Sequence, residues 1–175
     1  MRKLLNKELG RKSIDQYKSS DKSPFIIVLD NVRSHNNVGS VFRTADAFLT
    51  GGIYLCGITA RPPHRDIQKT ALGATESVDW RYFESTVDAI SELKSRGFKI
   101  IAVEQTEGSV ELKDMKIEKG NKYALVFGHE VNGVDQRVVD MSDMCTEIPQ
   151  FGTKHSFNIA VTVGIVLWEL NKQLN

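Results

Sequence analysis

Residues Glu147–Leu170, EIPQFGTKHSFNIAVTVGIVLWEL, read as the end of a strand, a polar loop and the start of an apolar helix. Pro149 has no amide hydrogen to give a sheet and closes the strand, Gly152 lets the loop turn, and Ser156 and Asn158 put small polar side chains at the mouth of the helix. Phe157, Ala160, Val161, Gly164, Ile165 and Trp168 recur at three- and four-residue steps, which predicts that this stripe is the buried face. The loop is backed by the unpaired N–H donors of a helix start, so it suits a polar ligand.

Upstream, PFIIVLD (24–30), IYLC (53–56), FKIIAV (98–103) and YALVFG (123–128) are the continuous apolar runs of strands buried on both faces, and VDWRYF (78–83) is a shorter candidate. Helical patterns lie between them. Asn36 or Asn37 caps a helix with Val38, Val41, Phe42, Ala45, Phe48 and Leu49 on its buried stripe, ended by Gly51 and Gly52, with Arg43 on another face. Ser85 or Thr86 opens a second helix through Ile90 and Leu93 to Arg96, and Val134, Val138 and Val139 mark a third. The predicted fold is α/β, a mostly parallel sheet with helices on both faces. Its ligands gather at the strands' carboxyl ends, in the segments 30–37, 104–106, 128–132 and 149–156.

At 175 residues, 41% hydrophobic and 26% charged, the chain suits one domain, expected over 25–175, after a basic helix and linker over 1–24. Two isolated cysteines and four histidines without ligand spacing imply a reducing compartment and no metal. The start, MRKLLNKELGRK, has no apolar signal segment, and no uncharged apolar run approaches the roughly 18 residues of a membrane span. A cytoplasmic protein is expected. Residues 1–75 carry 12 Lys and Arg against 6 Asp and Glu, and residues 76–175 carry 11 against 16. Such a basic half fits a polyanionic partner and fits a solvated tail equally well. The loop GITARPPHRD (57–66) adds Arg61, His64 and Arg65, with Lys69 beyond, to the groups suited to a phosphate backbone.

Taken singly, the candidate residues say little. Both common phosphate-cradling glycine loops are absent, and His155 beside Ser156 lacks the geometry of a nucleophile and its base. Glu130 alone reads as a loop carboxylate paired with a base such as Arg137, and Arg43 as a surface arginine.

Three segments together change the reading. NVRSHNNVGSVFRTADAF, LVFGHEVNGV and IPQFGTKHSFNIAVTVGI resemble, in order and spacing, the three motifs of the SpoU (TrmH) family of RNA ribose 2′-O-methyltransferases, in the SPOUT superfamily. The resemblance runs from Pro24 to about Leu170. It implies a carboxyl-terminal trefoil knot holding S-adenosylmethionine (SAM), a homodimer with the last helix and the first motif helix near its interface, and tRNA or rRNA as substrate. It puts the catalytic group on Asn37, Arg43, Glu130, Ser156 and Asn158. The cofactor falls against Glu104, Gln105, Thr106, Gly128, Ile148, Pro149, Gly152, Ser156 and Phe157, with Gln150 and Phe157 standing where methionine and leucine are usual. No separate RNA-recognition domain is expected ahead of residue 24. Arg2, Lys3, Lys7, Arg11, Lys12, Arg61, Arg65 and Lys69 would meet RNA phosphates.

The family's arginine is commonly assigned as a base, yet a guanidinium that stays protonated is a poor one. The alternative role for Arg43 is to clamp a phosphate, place the 2′-hydroxyl and stabilise the emerging alkoxide. Two other functions remain open: a non-catalytic RNA-binding protein on the same fold, and a SAM-dependent enzyme that methylates a base.

Overall fold

Strand β1 (Ser23–Asp30) is buried from Phe25 to Asp30, on both faces, because it runs between two other apolar strands. The computed structural model describes residues 1–174 apart from the side chain of Asn6; Asn175, the last residue of the expected domain, lies outside them. On one side β1 pairs with β2 (Thr50–Cys56), which pairs with β3 (Trp80–Phe83). On the other it pairs with β6 (Lys122–Phe127), followed by β4 (Phe98–Val103), β7 (Met144–Glu147) and the two-residue β5 (Val110–Glu111). The order is β3-β2-β1-β6-β4-β7-β5, and every pairing is parallel, as the apolar runs predict.

Strand periodicity sorts the core into two layers. Phe25, Ile27 and Leu29 point towards α2 (His35–Ala47) and α7 (Ile159–Lys172), whose Val38, Val41, Phe42, Val163, Val166 and Leu167 fill that layer with α3 (Arg65–Ala71) and α4 (Ala74–Ser77). Ile26 and Val28 point the other way, against α5 (Thr86–Ser95) and α6 (Gln136–Met141). No helix among the described residues is long and apolar enough to cross a membrane.

The structure corrects several local expectations. Ser34 caps α2, its hydroxyl accepting from Asn37 N at 3.2 Å, so Asn36 and Asn37 lie inside the helix. The helix stops at Ala47, with Leu49 at φ +49°, and Gly51 and Gly52 belong to β2. Packing explains Gly52: a Cβ there would lie 2.8 Å from the Asp79 carbonyl oxygen. The loop after β2 is shorter than expected, because α3 begins at Arg65 and carries both Arg65 and Lys69. Elements as short as α4 and β5 carry too few residues for a period to show.

In the first 24 residues, Leu4, Leu5, Leu9 and Ile14 are exposed; the helix is α1 (Ile14–Ser19), and Tyr17 anchors it in the main core beside α4. The largest correction concerns α7. Its buried residues are Ile159, Val163, Val166, Leu167 and Leu170, whereas Phe157, Val161 and Trp168 on the expected core stripe are 42%, 51% and 63% exposed. The helix is apolar on both faces: of the stripe chosen from periodicity, Ala160 and Ile165 are half-buried against the core, and Val161 and Trp168 face out.

Candidate active site

Val103 at the end of β4 is in register with Phe127 of β6 and with Thr146 of β7, so three parallel strands finish side by side. Their following loops meet there, as loops do at the carboxyl edge of such sheets. They enclose a cavity of about 540 Å3.

The loop after β6 turns back at once on Gly128. A Cβ there would lie 2.1 Å from the Gly133 carbonyl carbon, so only glycine permits this path. His129 and Gly133 exchange both backbone hydrogen bonds at 2.9 Å. His129 Nδ1 accepts from Val131 N and Asn132 N at 3.0 and 3.2 Å, which leaves its proton on Nε2. From β4, the Glu104 carboxylate accepts from Val134 N and Gln105 N, both at 2.9 Å, and ties this turn to the neighbouring strand. Gln105 Nε2 in turn donates to the His155 carbonyl at 3.1 Å and fixes the third loop.

Glu130 does not pair with Arg137, which bonds Asp135 instead at 2.7 Å. Its carboxylate accepts from Arg33 N at 3.0 Å, Ser34 N at 2.9 Å and Asn37 Nδ2 at 3.4 Å, at the start of α2 where unpaired donors favour an anion. Burial pulls the Glu130 carboxyl up, but the backbone N–H groups and the Asn37 amide outweigh burial and hold it below its ordinary value. Asn37 Oδ1 accepts from Asn158 Nδ2 at 3.1 Å, and Asn158 Oδ1 caps α7 by accepting from Ala160 N at 2.9 Å. One polar chain thus joins the starts of α2 and α7 to the turn after β6.

Glu104, Gln105, Gly128, Ile148, Ser156 and Phe157, expected at the cofactor, line the cavity; Thr106, Pro149 and Gly152 sit on the same loops but do not line it. Glu130, Ser156 and Asn158 reach it as well, and Asn37 stands directly behind them. Arg43 does not join this group. It is exposed on α2, its guanidinium has no hydrogen bond or ion pair among the described residues, and it lines a second cavity of about 820 Å3 with Arg11, Lys12 and Tyr17. The other expected RNA contacts are all exposed; Arg2 pairs with Glu8 at 2.9 Å, and the Arg61 guanidinium lies 4.1 Å from the Tyr82 ring centre.

His129, Asn132 and His155, within the segments 128–132 and 149–156 expected to gather ligands but not singled out there as site residues, line the cavity, and so does Thr162, which lies outside those segments. The first three lie inside or beside motifs already singled out, and Thr162, four residues after Asn158, faces the same side of α7. Among the described residues, no three His, Cys, Asp or Glu converge as a metal site.

Comparison with known proteins fits this geometry. Residues 24–168 match the SpoU rRNA Methylase family. A tRNA (guanosine(18)-2′-O)-methyltransferase of Aquifex aeolicus is 30% identical over 97% of this chain and 78% of its own length. A 23S rRNA (guanosine-2′-O-)-methyltransferase of Neisseria meningitidis serogroup B is 28% identical over 91% of this chain, which spans only 62% of that relative. Among solved structures, the AdoMet-bound rRNA methyltransferase from Sinorhizobium meliloti superposes with a TM-score of 0.81 at 28% identity, over 94% of this chain and 62% of that one. A chain solved for the 2-OH methylation of C/U34 on tRNA gives 0.75 at 26% identity, over 87% and 98%.

Proposed function

The chain belongs to the SpoU rRNA Methylase family, and from that membership we propose that it transfers a methyl group from SAM to a ribose 2′-hydroxyl of tRNA or rRNA. The observation that carries this reading is the Glu130–Asn37–Asn158 chain, which draws all three motif segments onto the rim of one cavity.

The cavity fits the cofactor. Its volume is in the range of small-molecule sites, and it offers both apolar walls and backbone polar groups. Ile148, Phe157 and Ile159 supply apolar contact, and the turns at Glu104–Gln105 and Gly128–Gly133 supply the polar groups. When bound, SAM supplies an electrophilic methyl group on a sulfonium. The protein's task is then alignment of the acceptor hydroxyl and stabilisation of the charge that grows on its oxygen. Arg43 performs it as a fixed cation that clamps a substrate phosphate beside the hydroxyl. Glu130, Asn37, Ser156 and Asn158 hold the loops in which that alignment happens.

The active unit is a homodimer. Val161 and Trp168 give α7 an outward apolar stripe that a second copy would remove from water, and Arg43, outside the cavity of its own chain, is free to serve the cavity of the other. The trefoil threading of the last strand, loop and helix belongs to the same proposal, supported by the return of α7 from the β7 side of the sheet onto α2. Its RNA substrate puts the protein in the cytoplasm.

The test is to incubate the protein with SAM and unmodified tRNA or rRNA, digest the RNA and identify the methylated nucleosides by mass spectrometry. A 2′-O-methyl nucleoside is the expected product. A methylated base would mark a different enzyme, and RNA binding without any product would mark a binding protein.

A further inference from the structure

After Met1, the two most exposed large apolar side chains are Phe151 at 95% and Val131 at 81%. Both sit on the loops that frame the cavity: Val131 in the turn after β6, where it lines the cavity, and Phe151 in the loop between β7 and α7. Both segments carry hydrogen bonds near their base. Val131 N donates to His129 Nδ1 inside the doubly bonded His129–Gly133 turn. Phe151 follows Gln150, whose Nε2 reaches the His155 carbonyl at 3.4 Å, the same carbonyl that Gln105 holds at 3.1 Å. The turn over 150–155 is therefore closed at its base, and it holds a phenyl ring out into water.

The charge around the two side chains indicates what covers them. Residues 150–158, QFGTKHSFN, include Lys154 and His155 and no carboxylate. Three carboxylates line the cavity itself, Glu104, Glu130 and Glu147, of which Glu104 and Glu130 are engaged by backbone N–H groups. A polyanion with flat apolar faces fits this surface, and unpaired RNA bases are recognised by stacking on aromatic side chains. We propose that Phe151, on the loop that frames the cavity, together with Val131 on the cavity lining, forms a clamp on which a nucleobase of the substrate RNA stacks, holding the strand over the cofactor cavity. The clamp rests on the ribose-methylation reading for its substrate class. It adds a binding element outside the motif's polar residues, one that reads a base face and not a phosphate.

The probe is unmodified bulk tRNA. Phe151→Ala is expected to raise KM for tRNA roughly 5- to 150-fold, the range of losing one stacked base, with SAM affinity unchanged. Phe151→Tyr restores KM, Phe151→Leu does not, and Val131→Ala gives a smaller rise. Because the ring is exposed, folding is unaffected. Phe151→Trp supplies a second readout: beyond the wild-type signal of Trp80 and Trp168, the added indole is quenched by tRNA and not by SAM alone. Quenching by SAM alone, a change in oligomeric state in Phe151→Ala, or an unchanged KM with no tRNA quenching would each overturn the clamp. Failure of the wild type to make a 2′-O-methyl nucleoside would sink the methylation reading instead, and the tRNA quench of Phe151→Trp would still decide the clamp.

Discussion

Asn158 donates to Asn37 at 3.1 Å across 121 residues of chain, which makes the cap of α7 also the bolt between the first and last motif segments. The two duties are separable. Asn158→Ala loses the cap on Ala160 N as well as the bolt, and should cost about 1 kcal/mol in denaturant unfolding. Asn158→Asp keeps an equally good cap but has no amide to donate, so its stability should fall less. Methyl transfer should fall in both. Activity that tracked stability, with Asp near wild type, would show that only the cap matters.

Glu130 gives the site a defined response to acid. Its carboxyl is held below its ordinary value in the fold, so the stability it contributes is complete above the unfolded value of about 4.3 and is lost as pH falls through the lower folded value. Glu130→Gln should flatten the stability profile below about pH 4 and leave its shape near neutrality unchanged. A wild-type profile that the substitution did not alter in acid would contradict the hydrogen-bonding scheme at the start of α2.

Two glycines are fixed by close approach. A Cβ on Gly39 would meet Thr70 Oγ1 at 2.1 Å and the Ile67 carbonyl oxygen at 2.3 Å, where α2 crosses α3. Gly39→Ala should therefore lower stability by about 1–3 kcal/mol. Gly128→Ala strikes the backbone of its own turn at Gly133, so SAM binding measured by calorimetry should be lost while circular dichroism still reports the helices and sheet.

The outward stripe of α7 predicts the assembly state. Val161→Lys with Trp168→Ser should shift a dimer to monomer in analytical ultracentrifugation and reduce methyl transfer with it, leaving the buried Val163 and Leu167 undisturbed. An unchanged sedimentation coefficient would remove α7 from the interface.

The strands were legible because β1, β4 and β6 are apolar on both faces, and such runs have one common explanation in an α/β chain. α7 was legible as a helix but not in orientation. With Ile159, Val163 and Val166 buried, Ile165 half-buried and Val161 and Trp168 exposed, apolar residues surround most of the helix and periodicity cannot say which face meets the core. Ser34 was missed because two asparagines followed it, and a cap depends on where the backbone turns helical, not on side-chain type alone. The motif residues Glu130, Ser156 and Asn158 were legible and do meet around the cavity. The second apolar rim, Phe151 and Val131, was not, since exposure is a property of the fold.

Arg43 is the cation proposed to serve the acceptor ribose although it lies outside the cavity of its own chain. Transfer of labelled methyl from SAM to unmodified tRNA or rRNA should be measured for Arg43→Ala under saturating conditions, with SAM and RNA binding followed separately. The predicted result is a loss of about 100-fold or more in turnover, the size of removing one charge-stabilising donor, with SAM binding intact. Turnover near wild type, with both ligands bound as before, would contradict it.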